Sequence, residues 1–294
     1  YEALSGRKPE LIYASATGFG SDGPMRDRPG QDMLLQARSG LVAATGEYGV
    51  RPTAVGCAVV DQHGASLLAM GILAAYVRRL KEGRGGRVEG SLLNAAIDLQ
   101  TEPLTFYYSG RRNRDVFRRD HHLATWFHEA PYGIYAAEDG FIALSLNDLE
   151  LLGAALESPA VAGFKGKDPY AHRDAIAPLI AAAVAGFNRT ELEARLAERK
   201  LWYERVQDYD DLLQDPQVRH NRIFREIPIR HSTATVVNHP LRYDGEGPAE
   251  IRHLALEAGA DTQVLLKELG YNDAEIAGML DAGAAAASKV GAPV

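Results

Sequence analysis

The sequence is poor in cysteine: Cys57 is alone among 294 residues, so no internal disulfide can form and a disulfide-stapled fold is excluded. That scarcity suits a reducing compartment, and a cytoplasmic location is expected. Positive charge is also in deficit. Lys and Arg total 32 against 39 Asp and Glu, a net −7, which argues against a broad basic face for nucleic acid. Long hydrophobic runs are missing too. The longest, Ser66–Val77 and Ala175–Phe187, fall short of the ~20 residues that cross a bilayer, so no membrane partner is expected. Tyr1 to Leu11 shows no basic stretch leading into an apolar one, the mark of a targeting peptide. The 29 Gly and 14 Pro have no period, which excludes a collagenous chain. What is present is ordinary globular material, 46% hydrophobic and 24% charged, too apolar for a disordered chain. At ~150 residues per domain, two domains or one large one are expected.

The pattern along the chain is mixed α/β. Tyr1–Leu4 looks like a helix end, and Leu11–Ser15 is a β-rich run feeding the loop Thr17–Pro24. Asp32–Gly40 is helical in pattern, with Gly40 as its C-terminal glycine. Cys57–Val60 reads as a short apolar strand ending in Asp61. A helix follows, with Leu67, Leu68, Met70, Ile72, Leu73, Tyr76 and Val77 on a broad buried face. Gly83–Arg87 is a turn, Val88–Gly90 a strand, and Ser91 caps the next helix. Arg111, Arg112, Arg114, Arg118, Arg119, His121 and His122 crowd a linker with few apolar anchors. Pro131–Leu144 is a hairpin turning at Asp139-Gly140. Helices run on to Leu213, one of them capped by Asn188 or Thr190. Strands at Ile227–Ile229 and Thr235–Val237 and a helix pair split by Gly270 complete the chain.

The informative spot is Val59–Ser66. A strand there would deliver Asp61 to the first turn of a helix, where backbone N–H groups are unpaired and the dipole favours an anion. A carboxylate so placed can attack an activated acyl group, and Gly64 and Ala65 are small enough to admit the acyl carbon. The plainer reading makes Asp61 a helix cap. Cys57 reads as a small core residue and His63 as a packing or hydrogen-bonding one. His121, His122 and His128 lack an acidic or thiol partner at ligand spacing, so no metal site is expected. Gly18-Phe19-Gly20 lacks the third glycine and the following helix of a dinucleotide fingerprint and reads as a loop.

Taken together, Leu11–Gly20, Gly23-Pro24, Arg28-Pro29-Gly30, Asp32, Gln36, Ser39-Gly40, Thr45-Gly46 and Asp61 resemble the class III CoA-transferases, the CaiB/BaiF family. Gly71–Ala75, Gly83–Gly85, Ser91–Leu93, Ala130–Gly133, Asp215–Val218, Pro240–Arg242 and Leu269–Tyr271 continue the series in order. The resemblance implies a Rossmann-like large domain with a smaller α+β domain, and an interlocked homodimer. It implies transfer of coenzyme A from an acyl-CoA to a small carboxylic acid. Coenzyme A is then part of the substrate, and no cofactor is permanently bound. In the family the aspartate matching Asp61 is the nucleophile, passing through a mixed anhydride and an aspartyl-CoA thioester. Gln31 stands where related racemases carry a proton-shuttling histidine. An amide cannot exchange that proton, so Gln31 is expected to orient substrate by a hydrogen bond.

Arg38 and Arg84 are candidates for the CoA phosphates, and Tyr132, Tyr135 and His121–His128 are expected to shape the acid pocket. The family's opening strand–helix–strand segment is not in this sequence, which therefore resembles a fragment. The expected organisation is a remainder of the large domain over 1–109, a linker over 110–128, a small domain over 129–225, and a return to the large domain over 226–294. Two alternatives stay open: a 2-methylacyl-CoA racemase or epimerase, and a non-catalytic subunit of a two-chain transferase.

Overall fold

Two short β runs, far apart in the chain, lie side by side in a computed structural model of the protein, which describes residues 1–110, 113–229, 232–247 and 258–288. After a single turn of helix (α1, Glu2–Ser5), β1 (Ile12–Thr17) pairs in parallel with β2 (Gly86–Ser91), from Ile12 opposite Gly86 to Thr17 opposite Ser91. Parallel neighbours need a long crossover. Here it carries α2 (Asp32–Arg38), α3 (Leu41–Ala44) and the 24-residue α4 (Val59–Glu82). Gly83 in the left-handed conformation ends α4, its N–H donating to the Arg79 carbonyl. Beyond β2, the Ser91 hydroxyl accepts from the Asn94 N–H and starts α5 (Leu92–Asp98), followed by α6 (Thr101–Tyr108).

Two expectations fail at α4. Cys57–Val60 is not a strand: the helix begins at Val59, and Cys57 is exposed rather than in the core. The reason is a tertiary contact that outweighs the β preference of the two valines, described below. Nor is the large apolar face of α4 buried. Met70 is 62% exposed and Leu73 61%, with Tyr76, Val77 and Leu80 open as well. The helix instead packs through a stripe of small residues. A side chain at Gly71 would meet Val88 Cγ1 at 2.8 Å, one at Gly64 would meet Leu92 and Ala95, and Ala75 is buried. Side chains of β2 and α5 fill the space that a Cβ on these glycines would take, so the close contact is made where α4 is smallest.

The region after residue 113 builds a conventional core. A short 3-10 turn (Arg114–Phe117) leads to the antiparallel hairpin β3 (Gly133–Ala137) and β4 (Gly140–Leu144), whose turn is Glu138-Asp139 before Gly140. The third strand, β5 (Tyr203–Arg205), falls in a stretch expected to be helical. Helices α7 (Leu149–Ala155), α8 (Pro159–Ala162), α9 (Arg173–Val184) and α10 (Arg189–Glu198, capped by Asn188) cover the sheet. Leu123 and Trp126 are buried, so the arginine-rich stretch is anchored more firmly than its composition suggests.

The contacts divide the chain into Tyr1–Val206 and Gln207–Val294. The second unit holds α11 (Tyr209–Gln214), α12 (Pro216–Asn221), the antiparallel pair β6 (Phe224–Ile229) and β7 (Ser232–Val237), and α13 (Thr262–Glu268) and α14 (Asp273–Asp281). Among the described residues, no helix is long and apolar enough to cross a membrane.

Candidate active site

The carboxyl ends of β1 and β2 open onto a cleft of about 1180 Å³, the usual place for a ligand in an open α/β sheet. Ala16 of β1, Gly90 and Ser91 of β2, and residues of α4, α5 and α6 line it. Asp61, Gly64 and Ala65 all face this space, so three of the expected site residues come together. Gly64 also lets α4 approach α5, so its missing side chain serves packing as well as access.

Asp61 is not a helix cap. The N-cap position of α4 is Ala58, which has no side chain to offer. The carboxylate of Asp32, the first residue of α2, does the capping from 28 and 29 residues away. Its Oδ1 accepts the Val60 N–H at 2.7 Å and the Asp61 N–H at 3.2 Å. The other first-turn donors are also occupied: Val59 N–H by the Cys57 carbonyl and Gln62 N–H by the Ala58 carbonyl. The expected supply of unpaired backbone N–H groups at this helix start is therefore absent, and they cannot serve a developing oxyanion. In exchange, the Asp61 carboxylate is exposed and, among the described residues, makes no hydrogen bond or ion pair. It is open to the cleft.

The clamp that achieves this is buried. Gln36, one helical turn after Asp32, donates Nε2 to Asp32 Oδ2 at 2.6 Å, while its Oε1 accepts the Val55 N–H at 2.9 Å. The same Nε2 lies 3.4 Å from the Cys57 carbonyl. One carboxylate and one carboxamide thus hold α2, the Val55–Cys57 loop and the start of α4. Gly18 and Gly30 seat α2 in turn. A Cβ on Gly18 would come within 2.5 Å of the Gly30 Cα, and the Gly18 carbonyl accepts from Leu93 N–H of α5.

The remaining expected residues lie elsewhere. Gln31 is exposed at the N-cap position of α2, immediately before Asp32, and does not line the cleft. Arg38, at the other end of α2, sits over the Phe19 ring. Arg84 follows the far end of α4, ~30 Å along the helix from Asp61, and pairs with Glu82 at 2.7 Å. Tyr135 shapes no pocket: it is buried in the core, its hydroxyl donates to the Pro131 carbonyl, and burial with the nearby Asp120 charge pushes its pKa up.

Among the cleft residues that sequence reasoning missed, two on α5, which packs against α4, carry polar side chains. These are Asn94 and Asp98. The Asn94 side chain is free among the described residues, whereas Asp98 is held by His63 Nε2 at 2.8 Å. The signal available for Asn94 was its place one turn after the Ser91 cap, on a helix starting at a strand's carboxyl end.

The expectation about histidines also needs correction. Asp120 supplies the acidic partner thought missing, and its oxygens lie with ring nitrogens of His121 and His122 within 4.8 Å of one another. Those atoms are already in use: His122 Nδ1 sits 2.7 Å from Asp120 Oδ1, and its ring stacks on Tyr135. Arg119, next to Asp120 in sequence, has its pKa lowered chiefly by burial and then by the Arg173 charge, against an opposing pull from Asp174.

Comparison with known proteins bears on the family and the fold. The model of CoA-transferase family III matches residues 1–262. A succinate–glutarate CoA-transferase of Agrobacterium fabrum is 26% identical over 87% of the chain and 66% of its own length. An (R)-2-hydroxy-4-methylpentanoate CoA-transferase of Clostridioides difficile is 28% identical over 94% and 70%. The chain spans about two thirds of the length of these curated relatives. Among solved structures, a CaiB/BaiF family protein from Brucella suis superposes with a TM-score of 0.71 at 23% identity, covering 92% of this chain and 70% of that one. At that identity the likeness speaks to fold.

Proposed function

The chain belongs to CoA-transferase family III, and on that premise we propose that it transfers coenzyme A between an acyl-CoA and a small carboxylic acid, with Asp61 as the acyl carrier. The observation that supports this most is the unpartnered Asp61 carboxylate facing a cleft at the carboxyl ends of β1 and β2. An Asp61 oxygen attacks the thioester carbonyl, the C–S bond breaks, and CoA leaves as thiolate, giving a mixed anhydride. The thiolate attacks the aspartyl carbonyl, releases the donor acid and leaves an aspartyl-CoA thioester. An acceptor carboxylate then attacks that thioester, forming a second anhydride and thiolate. The thiolate takes the acyl group, and Asp61 is regenerated. No net proton is consumed, so the chemistry asks for oxyanion stabilisation more than for a base. With the helix-start donors of α4 occupied, the Asn94 carboxamide is a neutral donor facing the same space, with the hydroxyls of Ser91, Thr101 and Thr105 also lining it.

The racemase reading needs two proton carriers on either side of one carbon. His63 is two residues from Asp61, and such positions on a helix do not face each other; His63 is also engaged by Asp98. The relatives' names favour dicarboxylic or hydroxy acids as acceptors, and that class is the one to screen first. The homodimer is part of the proposal, supported by the open apolar face of α4, since contiguous exposed apolar surface marks association sites.

Incubation with an acyl-CoA followed by hydroxylamine should convert the Asp61 carboxyl to a hydroxamate that mass spectrometry locates. Asp61→Asn should lower turnover by about three orders of magnitude or more. An unlabelled Asp61 during active turnover would overturn the assignment, as would full activity of the variant, the outcome expected of a non-catalytic subunit.

A further inference from the structure

The fold holds a device that nothing in the proposed chemistry requires by itself: a buried carboxylate with no basic partner among the described residues, one oxygen on the start of the helix that carries Asp61 and the other on Gln36. We infer that Asp32 is a positioning residue for Asp61, and that the Asp32–Gln36 pair sets the reactivity of that carboxylate. This inference rests on the reading of Asp61 as the acyl carrier.

The reasoning starts from Asp61 itself. It is the third residue of α4, and an aspartate in a helix's first turn can fold its own side chain back onto free N–H groups there. A carboxylate so engaged is a poorer nucleophile, because its lone pairs are already hydrogen-bonded. Asp32 removes the competition. Its Oδ1 takes the Val60 and Asp61 N–H groups, and the two remaining first-turn donors bond to carbonyls. The donor closest to the Asp61 side chain, its own N–H, is thereby occupied by another residue. The Asp61 carboxylate turns to the cleft.

Hydrogen-bond direction makes the pair specific. Gln36 must present its N–H2 to Asp32 Oδ2, because its Oε1 is fixed by the Val55 N–H. Asparagine at position 32 would therefore oppose one amide donor to another. Flipping either amide only moves the mismatch, to the Val60 and Asp61 N–H groups or to the Val55 N–H. An exchange of roles, Asp32→Asn combined with Gln36→Glu, removes it. The introduced asparagine oxygen still accepts the helix donors, its N–H2 donates to one oxygen of the introduced glutamate, and the other oxygen accepts from Val55. The net charge of the pair is unchanged. At the Cys57 carbonyl, the 3.4 Å donor contact becomes one between two acceptors, so recovery is expected to be incomplete.

The test compares Asp32→Asn, Gln36→Glu, the double exchange and Asp61→Asn in the intact protein. Turnover is normalised to folded protein by circular dichroism, and Asp61 acylation is followed by hydroxylamine trapping in a single turnover. Asp32→Asn is expected to lower kcat and the acylation rate by about 10- to 100-fold, with KM for the acyl-CoA within about threefold. The double exchange is expected to recover most of that loss. A merely structural role would reduce the folded fraction and leave kcat per folded molecule intact, and that result would overturn the inference. So would a double exchange no better than Asp32→Asn alone. Full turnover by Asp61→Asn would instead sink the reading beneath it, and so the two failures are told apart.

Discussion

Within the unit Tyr1–Val206, two regions are held together by different means. The region after residue 113 has a buried apolar cluster of seventeen described residues, from Leu123 and Tyr135 through Leu152, Ile176 and Ile180 to Leu201. The region carrying Asp61 has a cluster of three, Leu35, Val60 and Ala96, and leaves the broad side of α4 open. Apolar burial is plentiful but non-directional, and it stabilises without fixing any one atom. Hydrogen bonds and glycine contacts contribute less net free energy yet specify direction and distance. Asp61 is placed by the second kind. Its neighbourhood is positioned by Asp32, Gln36 and the Gly18–Gly30 contact, while much of the stability of the unit lies elsewhere.

That division can be broken most directly in the apolar region. Leu152 is fully buried, and Leu152→Ala should destabilise by ~2–5 kcal/mol through lost burial and a residual cavity. Denaturant midpoints should fall accordingly. Activity per folded molecule should hold, since none of the cleft contacts involves α7. If kcat falls in step with stability at temperatures where the variant remains folded, the two regions are mechanically one and the comparison fails.

How much of this was legible beforehand follows the reach of each interaction. Local signals carried well: Ser91 and Asn188 cap the helices that begin after them, Gly83 ends α4, and Asp139-Gly140 closes the hairpin. Each is decided by hydrogen bonds within about four residues. The cap on α4 was illegible because Asp32 reaches it across 28 residues, and a sequence pattern offers Asp61 as the nearer candidate. The buried side of α4 was misread for a related reason. Periodicity weighs large apolar residues, whereas β2 and α5 approach where side chains are smallest, at Gly64 and Gly71. Cys57 followed the same error, since a small apolar run looks buried until its partner elements are known. For the cleft, family resemblance singled out Asp61; Asn94 and Asp98 belong to it only through the pairing of β1 with β2.

A smaller effect is expected from Gly18→Ala, which probes the site region without touching the cleft. The added methyl would lie 2.5 Å from the Gly30 Cα, backbone against backbone, so the two loops must part. Overpacking of that kind costs ~1–3 kcal/mol. Because Gly30 leads directly into Gln31 and Asp32, the shift should also lower kcat by about tenfold. Equal loss of stability in Gly18→Ala and in a mild core variant, with kcat falling only in the former, would sharpen the contrast between the regions. Unchanged kcat at reduced stability would show that the glycine contact is packing alone.

The smallest effect lies on the polar rim of the apolar region, and it has a sign. Asp139 at the hairpin turn accepts the Arg189 N–H at 2.7 Å, and its Oδ2 lies 3.5 Å from Arg189 Nε. The backbone hydrogen bond from Arg189, followed by the attraction of the guanidinium, holds the Asp139 carboxyl below its ordinary pKa. A carboxyl depressed in the folded state binds its proton more readily in the unfolded chain. Its stabilising contribution is therefore complete above the ordinary value of ~3.9 and is lost as pH falls through the lower, folded one. Asp139→Asn should melt slightly below the parent at pH 7, and the gap should close with acidification below pH ~4. Asp139 is exposed, so solvent and salt screen the ionic part, and the gap should shrink at high ionic strength, since the variant's amide oxygen can still accept the Arg189 N–H. A gap that widened toward acid would reverse the linkage and show that this turn is held by the neutral form of Asp139.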